Sequence, residues 1–260
     1  MSEAAPPIAP PPPALHLDWG PWSALAVFAI SYVLQILLGL LVAVFATLVL
    51  VTLDPSLSSY PDQMQDAVLV VTIMPAALGG SALTLALVYG AMRLVHHLPV
   101  AAGLGLAWPG WRRVWKYVLG GAGVAAAGVA LIVAFPPGPD QEFSGPLRKL
   151  VESGSLGFAA WVFLGVVVAP VTEEVLFRGY LYQGMRRRLP PLAAGILVSV
   201  LFVVPHMAET GTYWPALAGI AMLAVVLTLV VEKTGSLACC IAGHAGYNAL
   251  LATMSLAGPG

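Results

Sequence analysis

Charge is what this chain lacks most. Asp, Glu, Lys and Arg make up 9% of its 260 residues, where a soluble domain carries about 25%. With 59% hydrophobic residues and a mean hydropathy of +0.90, that scarcity excludes a water-soluble globule and points to a polytopic membrane protein. Cysteine is nearly absent as well. Cys239 and Cys240 are adjacent in an apolar run, so a disulfide framework is excluded and both read as small core residues. The first 18 residues are rich in Pro and Ala and have no basic stretch before the first apolar run. They are expected to form a disordered or polyproline-type tail, with no cleavable signal peptide and the first apolar run serving as an uncleaved anchor. Gly79-Gly80 and Gly120-Gly121-Ala122-Gly123 have neither a strand before them nor the basic residue of a phosphate-binding loop after them. Close helix–helix contact suits them better.

What is there is a series of apolar runs long enough to cross about 30 Å of hydrocarbon. They fall near Trp22–Leu53, Ala67–Leu94, Trp115–Phe135, Leu156–Tyr182, Pro191–His206, Trp214–Val231 and Ser236–Leu256. The expected fold is an all-α polytopic transmembrane bundle of about seven spans, within a range of six to eight. The first two runs are longer than a perpendicular crossing needs, which predicts tilt or an interfacial extension.

The few charges then set the orientation. The second connection carries Arg93, Arg112, Arg113 and Lys116, the fourth Arg186-Arg187-Arg188 and the sixth Lys233. The first has only Asp54, Asp62 and Asp66, and the fifth only Glu209. The third is mixed, with Arg148 and Lys149 among Asp140, Glu142 and Glu152. By the positive-inside rule the even connections and the amino terminus face the cytoplasm, and the carboxyl terminus lies outside. A cell-membrane location is expected. The basic clusters sit at span boundaries, so nothing points to nucleic acid. They are also compatible with cytoplasmic recruitment of substrate or anionic lipid, although topology alone accounts for them.

Against this background the segment VVVAPVTEEVLFRGY is costly, because each ionisable group at a bilayer centre costs roughly 2.5–3.5 kcal/mol on insertion scales. Glu173 and His206 are each roughly 16 residues from the turn between the fourth and fifth spans, ~24 Å along their helices. An antiparallel hairpin would set them side by side. Counted from the turn near Lys233-Thr234-Gly235, His244 lies ~15 Å in and Asn248 ~21 Å in, four residues apart on one face. Four polar positions from three helices therefore converge on one depth.

Glu173 and Glu174 project about 100° apart on a helix, which predicts different jobs. Glu174 and Arg178 are an i,i+4 pair in the favourable order and read as a buried ion pair that fixes packing. Glu173 has no intrahelical partner and is free to act as a general base. Phe202 reads as packing, Tyr180 and Tyr182 as interfacial anchors, and His16, His96 and His97 as solvated.

Glu173-Glu174-x-x-x-Arg178, Phe202-x-x-x-His206 and His244-x-x-x-Asn248, in this order on three apolar spans, resemble the CPBP family. This is the CAAX-protease and bacteriocin-processing family, or type II CAAX prenyl endopeptidases. The resemblance covers roughly Leu156 to Leu256. It divides the chain into a tail over 1–18, amino-terminal membrane helices over 19–155 and a CPBP-like catalytic core over 156–256. It implies an intramembrane endopeptidase acting on membrane-associated proteins or peptides, some of them lipidated, in contact with membrane lipid. Glu173, Glu174, His206, His244 and Asn248 form the candidate catalytic set. Glu173 would activate a water held by His206, and His244 and Asn248 would face the oxyanion. Arg178 and Phe202 would be structural.

The family is often labelled metalloprotease, and His206, His244 with Glu173 or Glu174 could supply three zinc ligands. No His-Glu-x-x-His pattern is present, and a metal-free glutamate mechanism is the preferred reading, with no other cofactor called for. A proton-coupled transporter is the rival from another class, since buried Glu, His and Arg also build proton relays. The chain lacks the internal repeats common in such carriers. A noncatalytic membrane scaffold is the third alternative.

Overall fold

A computed structural model describes residues 19–138 and 153–257. The Pro-rich tail over 1–18 lies outside the described residues, as do the charges expected in the third connection, Asp140, Glu142, Arg148, Lys149 and Glu152. Seven helices are long and apolar enough to span a membrane, and no strand occurs among the described residues. They are α1 (Pro21–Leu53), α2 (Pro61–Val95), α3 (Trp111–Ala134), α4 (Ser155–Arg186), α5 (Pro191–Thr210), α6 (Trp214–Thr234) and α7 (Leu237–Ala257). The chain is thus an all-α polytopic bundle, and the expected spans agree with the observed ones to within two turns.

Local chemistry explains the boundaries. Pro21, Pro61 and Pro191 open their helices at the first position, where a missing N–H costs nothing. Gly235 ends α6 in the left-handed region, at φ 61°, the conformation that glycine adopts most readily. At ~1.5 Å per residue the 33 residues of α1 exceed a perpendicular crossing, so tilt is required.

The helices do not share burial equally. α1 pairs mainly with α2 and leaves most of its apolar surface outward, as lipid contact demands. α3 packs most extensively on α7, and glycine allows it. A Cβ on Gly121 would fall on the Gly243 carbonyl, and one on Gly246 on the Val118 backbone. Of the expected glycine patches, Gly121 serves this crossing, Gly79 and Gly80 meet Leu38 and Gln35 of α1, and Gly120 and Gly123 face open space. Cys239 and Cys240 are buried free thiols.

Helix α4 departs from a regular α-helix. It widens into π-helical turns at Leu164–Val168 and Val175–Tyr182, flanking the two glutamates. Such turns are frequent at functional sites. The second one buries Tyr180 and Tyr182 completely, which corrects their expected place at the membrane interface. The Tyr180 hydroxyl lies 3.0 Å from Ser23 Oγ and 3.1 Å from His96 Nε2, while Tyr182 donates to Glu232 at 2.7 Å. His96, expected in solvent, is half-buried in this cluster, whereas His97 is exposed.

Candidate active site

The turn at 187–190 folds α5 back on α4, and the three-residue link at 211–213 folds α6 back on α5. Between these helices, α3 and α7 lies a cavity of about 530 Å³. Glu173 from α4, His206 from α5, and His244 and Asn248 from α7 all line it. Four groups placed at one depth by residue counting are thus brought to one space.

The two glutamates diverge as their helical angles require. Glu173 reaches the cavity with its side chain 26% exposed, and its Oε2 lies 3.9 Å from His244 Nε2. That Oε2 is buried and has no hydrogen-bond partner among the described residues. Glu174 does not line the cavity. It is fully buried, and its Oε1 accepts from Arg178 Nη1 at 2.9 Å and meets His244 Nδ1 at 2.8 Å. Arg178 carries the frame further, donating from Nη2 to the Ala224 carbonyl of α6 at 3.0 Å. Its guanidinium lies 4.4 Å from the Phe202 ring centre, a geometry that favours a cation over an aromatic face. One ion pair therefore ties α4 to α6, to α7 and to an aromatic ring of α5.

Phe202 does more than fill space. Its ring centre is 4.9 Å from that of His206 and 5.9 Å from that of His244. Phe177 closes its other side at 5.0 Å. Both imidazoles contact this one ring.

Hydrogen bonds orient both histidines. His206 Nδ1 lies 2.8 Å from the Phe202 carbonyl, an acceptor only, so Nδ1 carries the proton and Nε2 of the neutral ring is left as an acceptor. His244 Nδ1 donates to the Glu174 carboxylate, which likewise fixes the tautomer. Its Nε2 can then donate to a ligand only when the ring holds both protons.

Asn248 donates from Nδ2 to the Gly165 carbonyl at 2.6 Å. The reason lies in the first widened turn of α4. Ala169 N–H, the ordinary α-helical partner of Gly165, bonds instead to the Leu164 carbonyl. In the π register the partner would be Pro170, which has no N–H. Asn248 supplies the missing donor, since an orphaned carbonyl in an apolar setting is costly, and it keeps a second N–H for a ligand. Residue counting missed this pairing, although Pro170 five residues after Gly165 signals it. It also missed Tyr247, which lines the cavity and sits three residues after His244, on the same helical face.

Among the described residues no three His, Cys, Asp or Glu side chains are disposed to hold a metal ion. Each histidine has Nδ1 committed to a protein acceptor and Nε2 available, an arrangement that metal-ligating histidines also adopt. No step below runs through a metal.

No curated protein and no solved structure matches the chain. A family model does match, the one described as "Type II CAAX prenyl endopeptidase Rce1-like", over residues 155–250. That stretch runs from the start of α4 into α7 and contains every member of the candidate catalytic set. The resemblance carried by the three motifs is borne out over residues 155–250, the stretch that matches the Rce1-like type II CAAX prenyl endopeptidase family model.

Proposed function

We propose that this protein is a CAAX-type intramembrane endopeptidase in which Glu173 activates the attacking water. The family supports the protease class. The observation that carries the mechanism is the Glu173 carboxylate, with one buried, unpartnered oxygen at the cavity wall. A carboxylate in such a place lacks a structural occupation and is suited to accept a proton. As the water oxygen bonds to the scissile carbonyl carbon, its proton passes to Glu173. When the C–N bond breaks, Glu173 returns that proton to the leaving nitrogen.

His206, with Nε2 as acceptor, orients the water from α5. From α7, His244, once doubly protonated, and the second N–H of Asn248 donate to the carbonyl oxygen as it becomes negative. Donors of this kind contribute about 3–4 kcal/mol when preorganised. Glu174 and Arg178 act through His244 and the helix frame, without touching substrate. Mostly apolar walls limit bulk water, which keeps these interactions strong.

Purified protein in detergent, given a prenylated peptide and its unmodified counterpart, tests the reading. Cleavage of at least one, abolished by Glu173→Ala and by His206→Ala with thermal stability retained, is the expected result. Variants that are folded and still cleave would overturn it.

A further inference from the structure

A peptide that enters the cavity carries main-chain N–H and C=O groups that are costly to bury without partners. Most of the wall offers none, since Val129, Ile132, Val162, Ile220, Leu223 and Leu251 are apolar. Glu173, His206, His244 and Asn248 serve the water and the oxyanion in the reading above. Three further polar side chains line the space, those of Trp161, Thr210 and Tyr247. Thr210 already donates its hydroxyl to the His206 carbonyl at 3.0 Å. Trp161 is half-buried and packs on Phe158. Tyr247 is buried and uncommitted.

Its side chain belongs to a residue only 6% exposed, yet its hydroxyl makes no hydrogen bond among the described residues. A buried tyrosine hydroxyl usually finds a partner. Two glycines explain why this one does not. A Cβ on Gly219 of α6 would stand 3.1 Å from Tyr247 Oη, and one on Gly128 of α3 would stand 3.7 Å from it. The hydroxyl therefore rests against the contact of α3 with α6, where a Cβ on Gly128 would come within 3.3 Å of Gly219 Cα. Glycine has no side chain to offer, and its main-chain groups are spent inside the two helices. The hydroxyl is not sealed either. The unpartnered polar atoms shut off from solvent among the described residues lie on Ser31, Glu173, Glu174, Arg178 and Ser199. Tyr247, Gly128 and Gly219 all line the cavity, so that is the space the hydroxyl can reach.

A tyrosine hydroxyl is both donor and acceptor, and of the two an unused donor is the less tolerated inside a protein. We propose that Tyr247 is a substrate-binding residue, whose O–H donates to one main-chain carbonyl of the bound peptide outside the scissile bond. Its contacts are with α3 and α6, while the proposed base Glu173 and His206 come from α4 and α5, so it takes no part in the proton transfers. Such a bond selects the form of the substrate. In a helical segment the main-chain carbonyls are already engaged, so the segment that meets Tyr247 is extended. The inference rests on the hydrolase reading for the nature of the ligand, a peptide.

Tyr247→Phe in the full-length protein tests it, because the ring stays and only the hydroxyl goes. Binding of the prenylated and unmodified peptides is measured in the Glu173→Gln protein, with and without Tyr247→Phe. The second substitution is expected to weaken binding about tenfold, the loss of one buried hydrogen bond, at an unchanged melting temperature. With Glu173 in place it should lower kcat/KM by the same factor through KM, since the bond is present before and during reaction. Replacing peptide amides by esters, one position at a time, should weaken binding at one carbonyl when Tyr247 is present and leave it unaltered there in Tyr247→Phe. Unchanged affinity in Tyr247→Phe, or a loss matched by a lower melting temperature, overturns the proposal. Peptide binding that depends on Tyr247 without any cleavage by the unmutated protein would sink the hydrolase reading alone. Normal cleavage with no effect of Tyr247→Phe would sink the role of Tyr247 alone.

Discussion

The cavity and the packed core behind its wall are built from the same helices, and adjacent residues serve opposite sides of that wall. Glu173 and Glu174 differ by one position. One borders the cavity with a free oxygen, and the other is sealed beneath His244 and Arg178. A buried charge is tolerated when it is paired and hydrogen-bonded, and Glu174 with Arg178 meets that condition through Oε1 and Nη1, while Glu174 Oε2 and Arg178 Nε have no hydrogen-bond partner among the described residues. A polar group bordering a cavity can remain unpaired because a ligand or water is available to it. The lesson is that motif membership does not define a role. The side of the cavity wall that a side chain enters does.

Substitutions that remove one member of the sealed group should therefore damage the fold first. Glu174→Ala or Arg178→Ala strands a buried charge and should cost about 3–5 kcal/mol, visible as lost yield and a lower melting temperature in detergent. Full stability in either variant would erase the contrast between the two glutamates. Asn248→Ala acts on both sides of the cavity wall. It removes an oxyanion donor, an expected ~100-fold loss in cleavage rate. It also strands the Gly165 carbonyl, at about 1–3 kcal/mol. A drop in rate with no change in melting temperature would show that the Gly165 bond is dispensable.

The α3–α7 crossing offers a control outside both regions. Gly246→Leu should cost at least the roughly 1–3 kcal/mol of an overpacked contact, since the new side chain meets the Val118 backbone. A variant of wild-type stability would contradict the backbone approach seen here. The smallest expected effect is that of a metal chelator on purified enzyme, which should leave cleavage unchanged. Loss of activity that zinc restores would replace the glutamate mechanism with a metal-dependent one.

Much of this was legible in the sequence because the controlling physics is local. Hydropathy gives seven spans, and a fixed rise per residue puts Glu173, His206, His244 and Asn248 at one depth. The i,i+4 order of Glu174 and Arg178 announces their pair. What was not legible depends on partners distant in the chain. Every residue of the widened turn over Val175–Tyr182 is buried among the surrounding helices, and Ser23, His96 and Glu232 supply the polar contacts of Tyr180 and Tyr182. A periodicity of 3.6 does not anticipate that.

The central claim is that Glu173 does chemistry and holds nothing together, and Glu173→Gln in purified protein tests it most directly. The amide keeps the size of the side chain and loses the base. Binding of an uncleaved peptide and the melting temperature should match wild type, with cleavage reduced by about 100- to 10,000-fold, the usual contribution of a general base. Cleavage at the wild-type rate, or a protein that no longer folds, would contradict the account.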